Sequence, residues 1–411
     1  MRAAVDALTT RGRAFLASGV AVLAAAAVLG LEPLLRIGVL ALLWPVLTVL
    51  LVLRARTTVR ARRTLAPARV SAGDLIDVRL VLDGTGRGAG GTTGVTERIP
   101  DAIGSDRRFR IRGGRRRWTC TIDYHLRPRR RGVYQIGPTS IRVTDPFGFL
   151  AFSRTFRSTS PLVVTPVVHP LGTPHTSGSG SDEGEHRIRL AAAGRSDDAT
   201  VREYRRGDDL RRIHWRSTAR AGELMVRREE EGRDSDLVVY LDTRRAAHTL
   251  GDDGSFEWAV SAAASVVSHV AARGWDVRLV TDATRSHDAA PETLSLILDE
   301  LAAVRPSVHR DPVPIDPALV AGRGAALAIV SATDADILDR LHTVTHGARD
   351  RLAFVLDPAA WRVPSGPTAS AADVVESARA GGWASVVVGP RTTVSEAWRS
   401  ARVGALTREQ R

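Results

Sequence analysis

Five continuous apolar runs at 237–241 (LVVYL), 277–280 (VRLV), 325–330 (AALAIV), 352–356 (LAFVL) and 384–388 (ASVVV) constrain this chain more than any other feature. Uninterrupted apolar strands need cover on both faces, which is the pattern of a parallel sheet sandwiched between helices. Helix-like segments fall between and after the runs, at 256–273 with Gly274 as a stop, 291–303, 334–342, 369–380 and 394–402. The alternation predicts an open α/β sheet with right-handed crossovers over residues 233–411. Sites in such sheets collect at the C-terminal strand ends. Here those ends carry Asp242, Thr243 and Arg244, then Asp282, then Ser331, Ala332, Thr333 and Asp334.

A different constraint opens the chain. Residues 14–31 and 37–53 are uncharged apolar runs separated by Glu32, Pro33, Leu34, Leu35 and Arg36. Each is just long enough to cross the hydrocarbon core as a helix. Arg2, Arg11 and Arg13 precede the pair and Arg54, Arg56, Arg60, Arg62 and Arg63 follow it, whereas the connection has one arginine. The positive-inside rule then puts both ends, and the soluble domains, in the cytoplasm of a plasma-membrane protein with two spans in residues 1–63. A cleaved signal peptide is the rival reading; a second run following at once argues against it. Pro45 predicts a mild kink.

Length and charge narrow the remainder. With 411 residues and 44% hydrophobic composition, the chain suits two domains plus an anchor. Its 58 basic residues are all arginine, with no lysine or asparagine anywhere, as a high-GC coding sequence produces. Without lysine there is no Walker A loop and no Schiff base, which excludes P-loop ATPases and pyridoxal-phosphate enzymes. Charge is uneven: +15 over residues 54–160, −4 over 161–411 and +2 over 1–53. The basic surplus lies beside the apolar runs, where anionic membrane lipid is the natural partner. Aromatic interleaving is sparse there, so no specific nucleic acid is expected, although a basic β domain keeps that alternative open. Cys120 is the only cysteine and can form no intrachain disulfide.

Residues 64–168 alternate as strands do, in DLIDVRLVL, WTCTIDYHL and YQIGPTSIRV, and predict a β-sandwich. A formal G-x-G-x-x-G at Gly86, Gly88 and Gly91 has no helix after it and reads as a hairpin loop. DPFG, from Asp145 to Gly148, reads as a tight turn. Residues 169–195 form a Gly- and Ser-rich linker whose histidines and acids are not organised for a metal.

Residues 196–232 concentrate paired acids, arginines, a histidine and a tryptophan. Gly207 can end a strand, Asp208 or Asp209 can cap a helix to Arg220, and Gly222 can stop it. His214 with Asp208 would be the base and orienter of a hydrolase, and Ser217 stands one turn away, but triad members normally come from separate elements. The competing reading is an ion-pair network of Arg205, Asp208, Asp209, Arg212 and Arg220 with Trp215 packed beneath.

The acidic strand ends resemble those of von Willebrand factor A domains, whose metal site uses Asp-x-Ser-x-Ser after the first strand plus a Thr and an Asp. Asp242, Thr333 and Asp334 occupy such positions, but Arg244 and Ala246 replace the serines, so the resemblance implies a degenerate site. No cofactor is expected; Mg2+ is the nearest alternative. Arg244 is a candidate to supply the missing positive charge. Tyr204, Arg205, Gly207, Asp208, Arg212, Ile213, His214, Trp215, Ala219, Arg220 and Leu224, with the upstream stretch RRGVYQIGPTSIRVTDPFGFL, resemble the signature of the bacterial family called domain of unknown function 58. That resemblance implies a membrane-anchored, von Willebrand factor A-like protein working with a MoxR-type AAA+ ATPase and a transglutaminase-like membrane protein. It implies an adaptor or assembly factor rather than an enzyme, with the hydrolase reading as the alternative.

Overall fold

The computed structural model describes residues 7–54, 58–85, 92–112, 117–145, 147–172, 201–203, 218–220, 222–223, 225–227, 236–281, 293–312, 324–334, 336–346, 348, 350–362 and 370–409. They divide into two compact units, Met1–Thr165 and Pro166–Arg411, in a mixed α/β architecture.

The first unit begins with α1 (Thr10–Leu29), capped by Thr9, whose hydroxyl accepts from the Gly12 N–H at 3.1 Å. Gly30 closes it in the left-handed region at φ 65°, and α2 (Glu32–Arg54) turns back along it. Glycines set the close approach. A Cβ on Gly19 would lie 3.0 Å from the Leu42 side chain and one on Gly38 2.7 Å from that of Leu23. α1 is long and apolar enough to cross a membrane.

Ten strands follow among the described residues: β1 (Thr58–Ala66), β2 (Arg69–Ser71), β3 (Ile76–Thr85), β4 (Thr92–Glu97), β5 (Arg107–Arg112), β6 (Arg117–Leu126), β7 (Gly132–Ile136), β8 (Thr139–Thr144), β9 (Ala151–Phe156) and β10 (Ser160–Thr165). They form sheets of order β1-β3-β6, β2-β10-β7 and β5-β4-β8-β9. β3 alternates strictly, burying Ile76, Val78, Leu80 and Leu82 while intervening residues face outward. These four pack with Val95, Ile122, Ile136, Ile141 and Leu162 in one core that all three sheets supply. Inside it, Arg63 grips the carboxylate of Glu97 and donates to the Ile136 carbonyl at 2.8 Å and to Ser160 at 3.2 Å. The predicted turn at Asp145 is present. Asp145 Oδ1 accepts from the Leu150 N–H at 2.6 Å and Oδ2 from the Phe147 N–H at 3.1 Å, with Gly148 at φ 77°.

In the second unit, β11 (Val201–Glu203) pairs antiparallel with β12 (Met225–Arg227), and residues 218–220 make a helical turn ended by Gly222 at φ 77°. The main body runs β13 (Asp236–Leu241), α3 (Ser255–Ala271), β14 (Asp276–Val280), α4 (Leu294–Ala303), β15 (Ala325–Ser331), α5 (Ile337–Val344), β16 (Asp350–Leu356), α6 (Ala371–Ala380), β17 (Ala384–Val388) and α7 (Val394–Glu409). Its sheet has the order β14-β13-β15-β16-β17, with every pairing parallel. Leu237, Val239 and Leu241 meet α3, α4 and α7 through Phe256, Val260, Ile297 and Trp398. Val238 and Tyr240, on the opposite face, meet α5 and α6 through Ile337, Leu341, Val374 and Val375. This double cover explains the unbroken apolar runs. Strand order reverses between β13 and β15, and a reversal leaves a crevice at the C-terminal ends where the two outgoing connections part.

Candidate functional site at the strand-order reversal

The connections leaving β13 and β15 bring together Asp242, Thr243, Arg244, Ser331 and Asp334. The Asp242 side chain is fully buried, and both of its oxygens are occupied. Arg244 Nε donates to Oδ1 at 2.9 Å and Nη2 donates to Oδ2 at 2.8 Å, a fork on a fork. The Arg244 backbone N–H adds a third bond to Oδ1 at 3.1 Å, so a short loop closes on itself. Nη1 of the same guanidinium reaches Asp334 Oδ2 at 3.2 Å, thereby spanning the two strand ends. Burial pulls this guanidinium down, but its bonds to Asp242 and the charges of Asp242 and Asp334 outweigh that and hold it above its usual value.

Asp334 faces a second arginine. Arg340, projecting from α5 and about half exposed, donates to the same Oδ2. Oδ1 accepts from the Asp336 N–H at 3.2 Å, forming a side-chain turn just before α5. Two guanidiniums thus converge on one carboxylate oxygen at the rim.

The segment after α4 forms a wall. Ser307 N–H donates to the Thr243 carbonyl at 2.7 Å, and Arg245 N–H donates to the Ser307 carbonyl at 2.8 Å. Beneath the loop lies His248, whose Nε2 is 2.7 Å from the Asp242 carbonyl and whose Nδ1 is 3.2 Å from Ser255 Oγ. A carbonyl can only accept, so Nε2 carries the proton and Nδ1 accepts from Ser255. Ser255 Oγ in turn accepts from the Thr249 N–H at 2.9 Å. Desolvation holds the His248 pKa below its usual value and keeps the ring neutral. Serine and histidine here are both buried, so the pair braces the loop and presents no nucleophile.

At these strand ends the Thr243 Oγ1 and Ser331 Oγ hydroxyls, both buried, have no hydrogen-bond partner among the described residues. Thr333 is half-buried in the β15 connection. A divalent cation does not fit this donor set as it stands. Asp242 would have to surrender Arg244 before either oxygen could ligate, and Arg244 brings its own positive charge to that place.

Of the signature residues, Tyr204, Arg205, Gly207, Asp208, Asp209, Arg212, His214 and Trp215 lie outside the described residues, as do Asp282, the glycines at 86, 88 and 91, and residues 173–195 of the linker. Arg220 is described and is exposed in the 218–220 turn. Sequence reasoning missed His248 and Arg340. His248 shares a short loop with Asp242, a proximity visible in the sequence. Arg340 has the i,i+6 spacing from Asp334 that pattern reading does not score as a pair.

Residues 200–330 match a family model described as protein of unknown function DUF58. No curated protein matches the chain. Among solved structures, similarity extends to the CARDB domain of a Pyrococcus furiosus protein at 15% identity, covering 27% of this chain and 93% of that one with a TM-score of 0.18. A putative ApaA protein from Bordetella pertussis is similar at 10% identity, covering 27% and 94% with a TM-score of 0.19. A β-glucosidase from Erythrobacter marinus is similar at 15% identity, covering 24% and 15% with a TM-score of 0.14.

Proposed function

We propose that this chain, assigned to that family through residues 200–330, is an interaction protein anchored in the plasma membrane by two spanning helices with cytoplasmic soluble domains. In this reading residues 58–165 are sandwich-like and the second unit is a degenerate von Willebrand factor A-like docking domain. Its partner is a MoxR-type AAA+ ATPase, with a transglutaminase-like membrane protein as a further associate. One observation carries the reading: Arg244 forks onto buried Asp242 at 2.9 and 2.8 Å and bridges to Asp334, standing where a related site would seat a cation.

Such a centre is suited to recognition. It keeps a fixed positive charge without a metal, and the serine and histidine beneath it, Ser255 and His248, are buried. At the rim, an incoming acidic group meets Arg340 and the outer face of Arg244, which already share one carboxylate oxygen. Capture by the detergent-solubilised full chain tests the proposal. An AAA+ ATPase is expected to be recovered from the host lysate and lost on Asp208→Ala, Arg212→Ala or Arg340→Ala. Recovery no greater than with a control carrying residues 1–63 alone would overturn it.

A further inference from the structure

The β8–β9 turn does more than reverse a strand. Thr9 donates its N–H to the Phe149 carbonyl at 2.8 Å and its hydroxyl to the Gly148 carbonyl at 2.5 Å. Ala151 N–H donates to the Ala7 carbonyl at 2.8 Å, so residues 7–9 and 149–151 run together as a short antiparallel splice. Backbone bonds therefore fix this turn to the start of α1. Gly12 makes the seating possible, since a Cβ there would lie 2.5 Å from the Phe149 carbonyl oxygen.

Four rings gather at the seat. Phe149 lies 4.9 Å from Phe15 on α1, Phe147 stacks on Phe149 at 5.9 Å, and Trp44 on α2 meets Phe147 edge-on at 5.4 Å. This cluster is not a closed core, for Phe147 is 52% exposed, Trp44 43% and Phe15 40%. The exposed rings continue into a helix pair whose outer face is apolar, with Val20, Leu40 and Leu43 also exposed. One solvent covers all of these surfaces at once, the acyl chains of a bilayer. Because Gly19 packs on Leu42 and Gly38 on Leu23, Trp44 stands level with about residue 17 of α1, about 10 Å along that helix. Aromatic side chains prefer that interfacial depth. Arg11 and Arg13 are exposed beside it, and the row Arg110, Gly94, Arg142 and Ser153 across the same sheet carries positive charge and no acid. Both features suit an anionic leaflet.

We infer that the β8–β9 turn is a third membrane contact, in which Phe147 and Phe149 wedge into the anionic leaflet beside Trp44 and Phe15 and hold the β-strand portion of the first unit at a fixed attitude on the bilayer. The inference rests on the membrane anchor proposed above. To test it, the full chain in a Cys120→Ser background is labelled with an environment-sensitive fluorophore at Phe147→Cys or at Leu75→Cys, an exposed apolar control. Each protein is reconstituted in vesicles of phosphatidylcholine and phosphatidylglycerol. Lipid carrying a nitroxide high on its acyl chain is expected to quench position 147 several-fold more than position 75, and aqueous iodide the reverse. A photoreactive phenylalanine at 147 keeps the ring and is expected to yield a lipid adduct; Gly12→Val is expected to weaken both signals. Iodide quenching at 147 equal to that at 75, or no lipid adduct, overturns the wedge. If AAA+ capture survives that result the wedge alone fails, whereas a chain that does not float with vesicles overturns the anchor itself.

Discussion

Arg63 in the first unit and Arg244 in the second both grip a buried carboxylate, yet their surroundings differ in kind. Arg63 and Glu97 are almost wholly enclosed, with side chains 3% and 0% exposed. Thr139 completes the group, accepting from Arg63 at 3.0 Å and donating to Glu97 at 2.7 Å. Arg63 also reaches β7 and β10, so one cation ties strands of all three sheets together. Arg244 and Asp242 sit instead at a strand-order reversal, with a half-exposed second arginine at the rim and the Thr243 and Ser331 hydroxyls, which have no hydrogen-bond partner among the described residues. The first arrangement has every reason to stay shut. The second has a rim that can be rearranged by something arriving from outside.

Removing the cation should separate the two most sharply. Arg63→Met strands the Glu97 charge inside the β core and is expected to cost about 3–5 kcal/mol, the usual penalty for breaking an enclosed pair. Denaturant unfolding of the full chain, followed by protease protection of residues 58–165, reads it. Arg244→Ala is expected to cost less, about 1–3 kcal/mol, because the backbone N–H of residue 244 still donates to Asp242 and Arg340 still holds Asp334. The same variant removes the guanidinium from Asp242 and leaves Asp334 to Arg340 alone, so the Asp242 carboxylate regains an oxygen, Oδ2, that can ligate. Millimolar Mg2+ or Mn2+ should then raise its melting temperature while leaving the parent unmoved, by about 2.7 kcal/mol of stabilisation at a hundredfold excess over Kd. A variant as stable as the parent, or one indifferent to both cations, would erase the distinction between the two sites.

Much of this contrast was written in the chain at different levels. The parallel sheet was legible because burial on both faces leaves apolar runs, unbroken in the central strands β13, β15 and β16 and interrupted only by Arg278 and Ser385 in the edge strands β14 and β17. The position of the site was legible too, since Asp242 and Asp334 follow adjacent strands and strand ends are where connections diverge. Arg244 could be suspected from the missing serines. Its fork on Asp242 could not, because an i,i+2 pair meets only when the chain leaves the strand in that particular bend. The Arg63–Glu97 pairing could not be read from the sequence, as its partners lie 34 positions apart and on different sheets, although each charge interrupts the inward face of its strand, Arg63 between Ala61 and Leu65 and Glu97 after Val95. The aromatic seat at the β8–β9 turn was hidden for the same reason: its rings come from positions 15, 44, 147 and 149.

Acid should act on the second unit with a sign that can be worked out. His248 is held neutral in the fold with its pKa below the usual value, so the unfolded chain takes up a proton first as pH falls. Stability is full above about pH 6.5, the ordinary histidine value, and declines below it toward the depressed folded value, by up to about 1.4 kcal/mol per pH unit. His248→Gln should flatten that decline over the second unit, although His342, also lowered by desolvation and by Arg351, leaves a remainder. A profile unchanged by His248→Gln would mean that the brace beneath Asp242 does not support the site.

The smallest expected effect on stability is the most informative about function. Arg340 is 53% exposed, and its contact with Asp334 is a rim ion pair of the kind worth under about 1 kcal/mol. Arg340→Ala should therefore leave unfolding within about 0.5 kcal/mol of the parent, since surface changes away from buried features rarely exceed that. If the rim recognises an acidic partner, the same variant should abolish capture of the AAA+ ATPase, while Arg62→Ala, which removes an exposed pair with Asp83 in the first unit, should not. Equal capture by both variants would reduce the Arg244 cluster to a second version of Arg63, a fastening with a looser lid. Loss with Arg340→Ala alone would show that exposure at the rim, rather than the buried fork, is what distinguishes a docking site from a structural clamp.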